Sequence, residues 1–170
     1  MKKLFFIIFL MMIGTLGFSQ RYAIIDTKYI LDKLPDYKDA DKKIQQISSQ
    51  WQKEIDDKQI DLDKMYKNYE AEQFMLSDEL KKKREGELFN KEKEVRDLQR
   101  KRFGYEGDLF KERQRLVKPI QDKVYNAIQK IAVAKAYDFV LDKSEGITVI
   151  FADPKLDKSD DVLRELGIKL

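Results

Sequence analysis

Gln73-Phe74-Met75-Leu76-Ser77-Asp78 interrupts a long regular stretch of this chain, and the reading of those residues decides the fold. On either side, from Asp36 to Leu116, proline is absent, charge is dense and apolar residues recur at helical spacing. Before the interruption, Ile44, Trp51 and Met65 fall on one heptad position. Ile55, Leu62 and Tyr69 fall on a second, with Ile47 beside it, and Lys58 breaks the first series. Spacings of three and four residues mark a seam of coiled-coil type. Phe74-Met75-Leu76 leaves that phase, and Ser77 followed by Asp78 and Glu79 suits a helix N-terminus. There a hydroxyl accepts an orphan backbone N–H and the acids face the positive end of the helix dipole. Beyond it Leu88, Val95, Leu109 and Leu116 recur at multiples of seven, with Arg102 as the interruption. The expectation is two antiparallel helices of about 38 residues, each roughly 60 Å long at 1.5 Å per residue. The alternative is a single helix of about 80 residues.

Charge supports the hairpin independently. Glu54 to Glu72 holds seven acidic and three basic residues, whereas Lys81 to Arg102 holds ten basic and five acidic. Folding about Leu76 lays these stretches side by side with opposite sign. Exposed pairs contribute only about 0.2–1 kcal/mol each, so the pattern argues for orientation more than for stability. Gly104 and Gly107 stand in the second arm, where glycine costs about 1 kcal/mol relative to alanine. Counting back from the turn sets Gly104 opposite Ser48 and Ser49. Two readings are open: a soft point where the arm bends, or close helix approach with room for Trp51.

Working outward, Tyr22-Ala23-Ile24-Ile25 reads as a strand, and Asp26-Thr27 can cap a helical turn over Tyr29 to Leu34, which Pro35 closes. After the second arm, Pro119 marks a kink or a fresh start to a helix reaching about Lys135, with Val124, Ile128, Ile131 and Ala132 on its apolar face. Tyr137 to Asp142 and Ile147 to Ala152 read as two strands joined by a Ser144-Glu145-Gly146 turn. Asp157-Lys158-Ser159 leads into a terminal helix through Val162, Leu163 and Leu166. Three short strands cannot close a barrel alone and leave open edges, for which assembly with further copies is the natural remedy. Ile24, Phe139, Leu141, Val149 and Phe151 are the candidate residues of that oligomerisation body.

At the N-terminus Lys2 and Lys3 precede an apolar run from Leu4 to Ile13, and Gly17-Phe18-Ser19 is a small-x-small site. That order is a secretory signal peptide over residues 1–20. The alternative, a retained anchor, meets an apolar core well short of the roughly 20 residues a spanning helix needs. A lipid anchor would need a cysteine, and the chain has none. Removal of the segment leaves 32 basic and 31 acidic residues, which gives no case for a general polyanion binder and no expectation of nucleic-acid binding. Without His or Cys there is no imidazole base, no thiolate and no His or Cys metal site. No Gly-rich phosphate loop is present. The chain is expected to be a non-enzymatic binding protein with no cofactor, metal or catalytic residue.

Taken in order, Arg21-Tyr-Ala-Ile-Ile-Asp26, Leu116-Val-Lys-Pro-Ile-Gln121 with Val124 and Ile128, Tyr137-Asp-Phe-Val-Leu-Asp142, and Asp160-Asp-Val-Leu-Arg-Glu-Leu166 resemble the opening strand, base helix, closing strand and terminal helix of the Skp/OmpH family of periplasmic chaperones. With the arm between them the likeness spans essentially the whole mature chain. It implies a mainly α fold with a small β body: a long antiparallel hairpin, residues 36–116 with its tip near 73–78, on an oligomeric β-barrel-like base formed by residues 21–35 and 117–170. It further implies a homotrimer whose arms surround a cavity, and a soluble periplasmic holdase that keeps unfolded outer-membrane proteins from aggregating without ATP. A structural or adaptor coiled-coil protein of the cell envelope is the rival class. One departure stands out. Family members are often strongly basic at the arm tips, whereas residues 36–116 carry 20 basic and 20 acidic residues.

Within that frame, Phe89, Phe103, Phe110 and Val117 form a series one residue beyond the seam, about 100° around the helix, with Arg96 between. They face the cavity as client contacts, or they widen the seam and pack on the body. Phe74, Met75 and Leu76 at the tip offer a second apolar contact, or they close the turn against Tyr69 and Leu80. Lys81-Lys82-Lys83-Arg84 is the one concentrated basic run, either a weak anionic-lipid contact or a solvated face paired with the acidic first arm.

Overall fold

The computed structural model describes residues 20–144, 146 and 148–169. The expected signal peptide therefore lies, but for Gln20, outside the described residues, as do Glu145 of the expected turn and Ile147 of the expected third strand. The elements run β1 (Tyr22–Ile25), α1 (Thr27–Lys33), α2 (Pro35–Glu72), a 3-10 turn (Gln73–Met75), α3 (Asp78–Phe103), α4 (Asp108–Lys135), β2 (Phe139–Asp142), a second 3-10 turn (Pro154–Leu156) and α5 (Ser159–Glu165). The protein is mainly helical with a small two-stranded sheet. It divides into two compact units, one of residues 34–123 and one of the described residues to Lys33 and from Val124.

In the first unit α2 and α3 form the antiparallel hairpin. Pro35 opens α2 at the position where its missing N–H and fixed φ cost nothing. Ser77 caps α3 by accepting from the Leu80 N–H at 3.4 Å, with Asp78 and Glu79 in the first turn. Ile55 and Leu62 from α2 and Leu88 and Val95 from α3 are buried together, and Met65, Tyr69, Leu98 and Phe103 pack against them. The heptad phase does this: each seam residue returns to the partner helix every second turn, so the apolar area is removed from water by one neighbour alone.

The second arm differs from the expected continuous helix of about 38 residues. It stops at Phe103 and resumes at Asp108. The Gly104 N–H donates to the Arg100 carbonyl at 2.8 Å, and the Gly107 N–H donates to the Gly104 carbonyl at 2.9 Å. Glu106 takes the left-handed region at φ 53°. A Cβ on Gly104 would overlap the Arg100 carbonyl, and one on Gly107 would lie 2.8 Å from the Lys101 carbonyl, so both glycines are needed for the break. Nor does Pro119 start a new helix: α4 runs through it to Lys135. That proline is exposed and removes only a single backbone donor.

In the second unit β1 and β2 pair in parallel, Tyr22 opposite Phe139 through Ile25 opposite Asp142. Ala23, Ile24, Ile25, Ile30, Val162 and Leu163 are buried. The expected hairpin of two closing strands does not form: β2 pairs with β1, and no strand is assigned among the described residues 148–152. The Lys143 N–H donates to the Ile25 carbonyl at 2.8 Å, and the Ser144 hydroxyl meets the Thr27 hydroxyl at 2.7 Å. The chain leaving β2 is thereby tied to the end of β1. Ile150 and Phe151 are 94% and 85% exposed.

Asp142 anchors this junction. It accepts from the Thr27 N–H, the Thr27 hydroxyl and the Ser144 N–H. Burial alone would push its carboxyl up, but these hydrogen bonds outweigh it and hold the group below the ordinary aspartate range. Asp157 is lowered in the same way: burial opposes, while Lys143 and Ser159 donate to it.

Candidate binding surfaces

The tip of the hairpin is apolar and wet. Phe74 and Met75 are 87% and 81% exposed, Leu80 is also exposed, and Leu76 is half-buried. Phe74 and Met75 thus do not close the turn. They stand on the 3-10 turn, outside the Ile55–Leu62–Leu88–Val95 cluster and the side chains packed against it. A turn this short has no second layer to cover them.

The series one residue beyond the seam splits along the arm. Phe89 is 60% exposed, and Phe103 is half-buried against the seam cluster. Phe110 is partly exposed and, with Val117, Tyr37 and Ile44, lines a cleft of about 330 Å³ between α2 and the start of α4. Arg113 and Lys118 border that cleft. Arg96, which interrupts the series, pairs with Glu92 at 3.0 Å within its own helix. The four residues therefore do not form one uniform stripe.

In the basic run, Arg84 pairs with Glu87 at 3.2 Å and reaches Glu72 on the first arm at 3.9 Å. Among the described residues Lys81, Lys82 and Lys83 make no ion pair. Lys82 and Lys83 are exposed, leaving a local cationic patch beside the apolar tip.

The two seam interruptions carry ion pairs between the arms. Lys58 donates to Glu94 at 2.6 Å, which holds Glu94 below and Lys58 above their ordinary ranges. This pair reverses the expected pattern of an acidic first arm against a basic second. Arg102 follows that pattern, reaching Glu54 at 3.2 Å, and it also pairs with Asp108 at 2.8 Å while its guanidinium lies 4.6 Å from the Trp51 ring centre. Tyr69 donates to Glu85 at 2.6 Å, a bond that raises the phenol above its usual range. The sequence pattern marks Lys58 and Arg102 as breaks in the seam without identifying their partners.

Of the candidate body residues, Ile24 is buried, Leu141 and Val149 are half-buried, and Phe139 is 43% exposed and stacked on Tyr22 at 5.7 Å between ring centres. Ile24 and Leu141 are register partners, whereas Phe151 is brought to neither strand. Among the described residues no group of three or more carboxylates could hold a metal ion, and no helix is long and apolar enough to cross a membrane.

Comparison with known proteins places this geometry in context. The sequence profile of a family described as outer membrane protein (OmpH-like) matches residues 21–166. A solved structure, described as a proposed outer membrane chaperone (OmpH-like) from Caulobacter crescentus, shares the fold with a TM-score of 0.70 at 19% identity, over 92% of this chain and 90% of that one. Comparison with curated proteins gives no significant match.

Proposed function

The chain belongs to the OmpH-like family of outer membrane proteins, and from that premise we propose that it is a chaperone: an ATP-independent periplasmic holdase that binds unfolded outer-membrane proteins and prevents their aggregation. The observation that carries this reading is the family match itself, which spans both flanks and the whole hairpin. The likeness in fold to a proposed outer membrane chaperone supports it. So does the surface, where Phe74, Met75 and Phe89 offer separated apolar contacts suited to weak, unspecific capture of unfolded chains.

On this reading residues 1–20 are a signal peptide removed on export, and residues 21–35 with 117–170 make the oligomerisation body. Three copies give the sheet its missing neighbours, in a barrel-like base from which the 36–116 arms enclose a cavity. The exposed Tyr22, Phe139, Ile150 and Phe151 are the side chains such an assembly would cover. Lys82 and Lys83 supply at most a weak contact to anionic lipid. The test is dilution of a urea-unfolded outer-membrane β-barrel protein into buffer with and without this protein, nucleotide absent, followed by light scattering. Suppression at near-stoichiometric amounts is the expected result. Unchanged aggregation overturns the reading.

A further inference from the structure

The break at Gly104–Gly107 has the form of a joint, and one side chain ties its two ends together. Arg102 belongs to the last turn of α3. It pairs with Asp108 in the first turn of α4 at 2.8 Å and with Glu54 on α2 at 3.2 Å, and it stacks over Trp51 on α2 at 4.6 Å. Arg102 and Asp108 side chains are 22% and 25% exposed, so the pair is partly desolvated yet open enough to water for high salt to weaken it. The segment it spans is held away from a helical course, with Glu106 at φ 53° and Tyr105 97% exposed. A non-glycine residue in the left-handed region persists only where its surroundings impose it. The Arg102 Nε is buried without a partner, a cost that the guanidinium's other contacts must offset.

We propose that Arg102 is a latch: its pair with Asp108 holds α4 at a fixed angle to α3, and breaking that pair frees the joint while the α2–α3 hairpin stays folded. The separation follows from where the packing lies. The buried seam cluster sits wholly on α2 and α3, between Ile55 and Val95, and needs nothing from α4. Past the joint, clefts of about 330 and 380 Å³ open between α2 and α4, and the exposed pair of Lys123 with Asp36 at 3.0 Å bridges the two helices there. Ionic strength is then the natural control variable. Screening weakens Arg102–Asp108 and Arg102–Glu54, whereas the apolar seam strengthens in salting-out conditions. The proposal concerns the arm alone and does not rest on the chaperone reading.

The chain has one tryptophan and no cysteine, which makes the test clean. Trp51 fluorescence reports the latch directly, and cysteines introduced at exposed Lys83 on α3 and Lys111 on α4 carry spin labels for a distance distribution. Labelled chains are mixed with excess unlabelled chain so that only distances within one chain are read. The expected result is a narrow distribution for the otherwise unaltered chain and a broader, shifted one for Asp108→Asn. Arg102→Gln is expected to do the same and to shift the tryptophan emission. Circular dichroism and the melting transition of the hairpin should be retained in both. Added sodium chloride should broaden the unaltered chain's distribution and leave that of Arg102→Gln unmoved. If Arg102→Gln does not fold, Asp108→Asn and the salt series decide, because the stacking on Trp51 remains in both. Identical narrow distributions in all of them overturn the latch and leave the glycines alone as the cause of the bend.

Discussion

Phe89 and Phe103 occupy equivalent places in a heptad-spaced series, yet the fold gives them different work. Phe103 leans on the seam cluster, while Phe89 is 60% exposed. Phe89→Ser is therefore expected to weaken capture of an unfolded outer-membrane protein while shifting stability by no more than about 0.5 kcal/mol. Phe103→Ser should instead destabilise the hairpin by about 1–3 kcal/mol, read from urea melts. Equal stability losses from both would remove the distinction. Asp142 gives a second residue-scale expectation. Its folded value is depressed by bonds from Thr27 and Ser144, so its contribution is present above the unfolded carboxylate value and is lost as pH falls through the folded one. Thermal melts taken from about pH 4 to about pH 2 should show the Asp142→Asn protein losing less stability than its parent. The seam residues Ile55, Leu62, Leu88 and Val95 were legible in the sequence because periodicity reports burial directly. The partners of Lys58 and Arg102 were not, since a charge in a seam tells that something must pair with it and not which residue does.

At the scale of elements, the tip turn and the Ser77 cap were written in local chemistry and stand where that chemistry puts them, whereas Pro35, expected to close the segment before it, also opens α2. The end of α4 near Lys135 was legible too, but the conformation that closes it was not. Its final turn closes with the Tyr137 N–H donating to the Ala132 carbonyl at 2.9 Å and the Ala136 N–H to the Val133 carbonyl at 3.2 Å, around Ala136 at φ 51°. Glycine usually fills that left-handed position, as Gly167 does at φ 83° after α5. Ala136→Gly relieves the strain, and a stability gain of about 0.5–1 kcal/mol in the thermal midpoint is expected. A loss would show that the native turn is less strained than its dihedral implies. Among the described residues the second of the two expected strands after α4 does not form, for a related reason. Ile147 to Ala152 has strand-like composition, but composition cannot say which edge a strand will find, and here β1 had already taken β2. The break at Gly104–Gly107 was visible as two glycines. That both are sterically required, and bridged by Arg102, depended on atoms far apart along the helix.

For the whole molecule, the family match over residues 21–166 and the fold likeness agree with the order of segments read from the chain. What one chain could not disclose is the assembly, because an edge left open in a sequence has no address for its partner. The exposed Ile150, Phe151, Tyr22 and Phe139 lead to the expectation of a stable oligomer, with light scattering giving about three times the mass of one mature chain. A monomeric mass at micromolar concentration would remove the proposed cavity. The parallel pairing of β1 with β2 also sets a timetable. Tyr22 waits for Phe139, which lies 117 positions later along the chain, so the sheet closes a very long loop. The hairpin, by contrast, draws on partners close to one another on either side of its own turn and can assemble as soon as that turn exists. A chain that emerges from a secretion channel N-terminus first would thus carry a finished arm while its first strand was still unpaired. The last residues to arrive would be the ones that make the subunit fit to meet its neighbours.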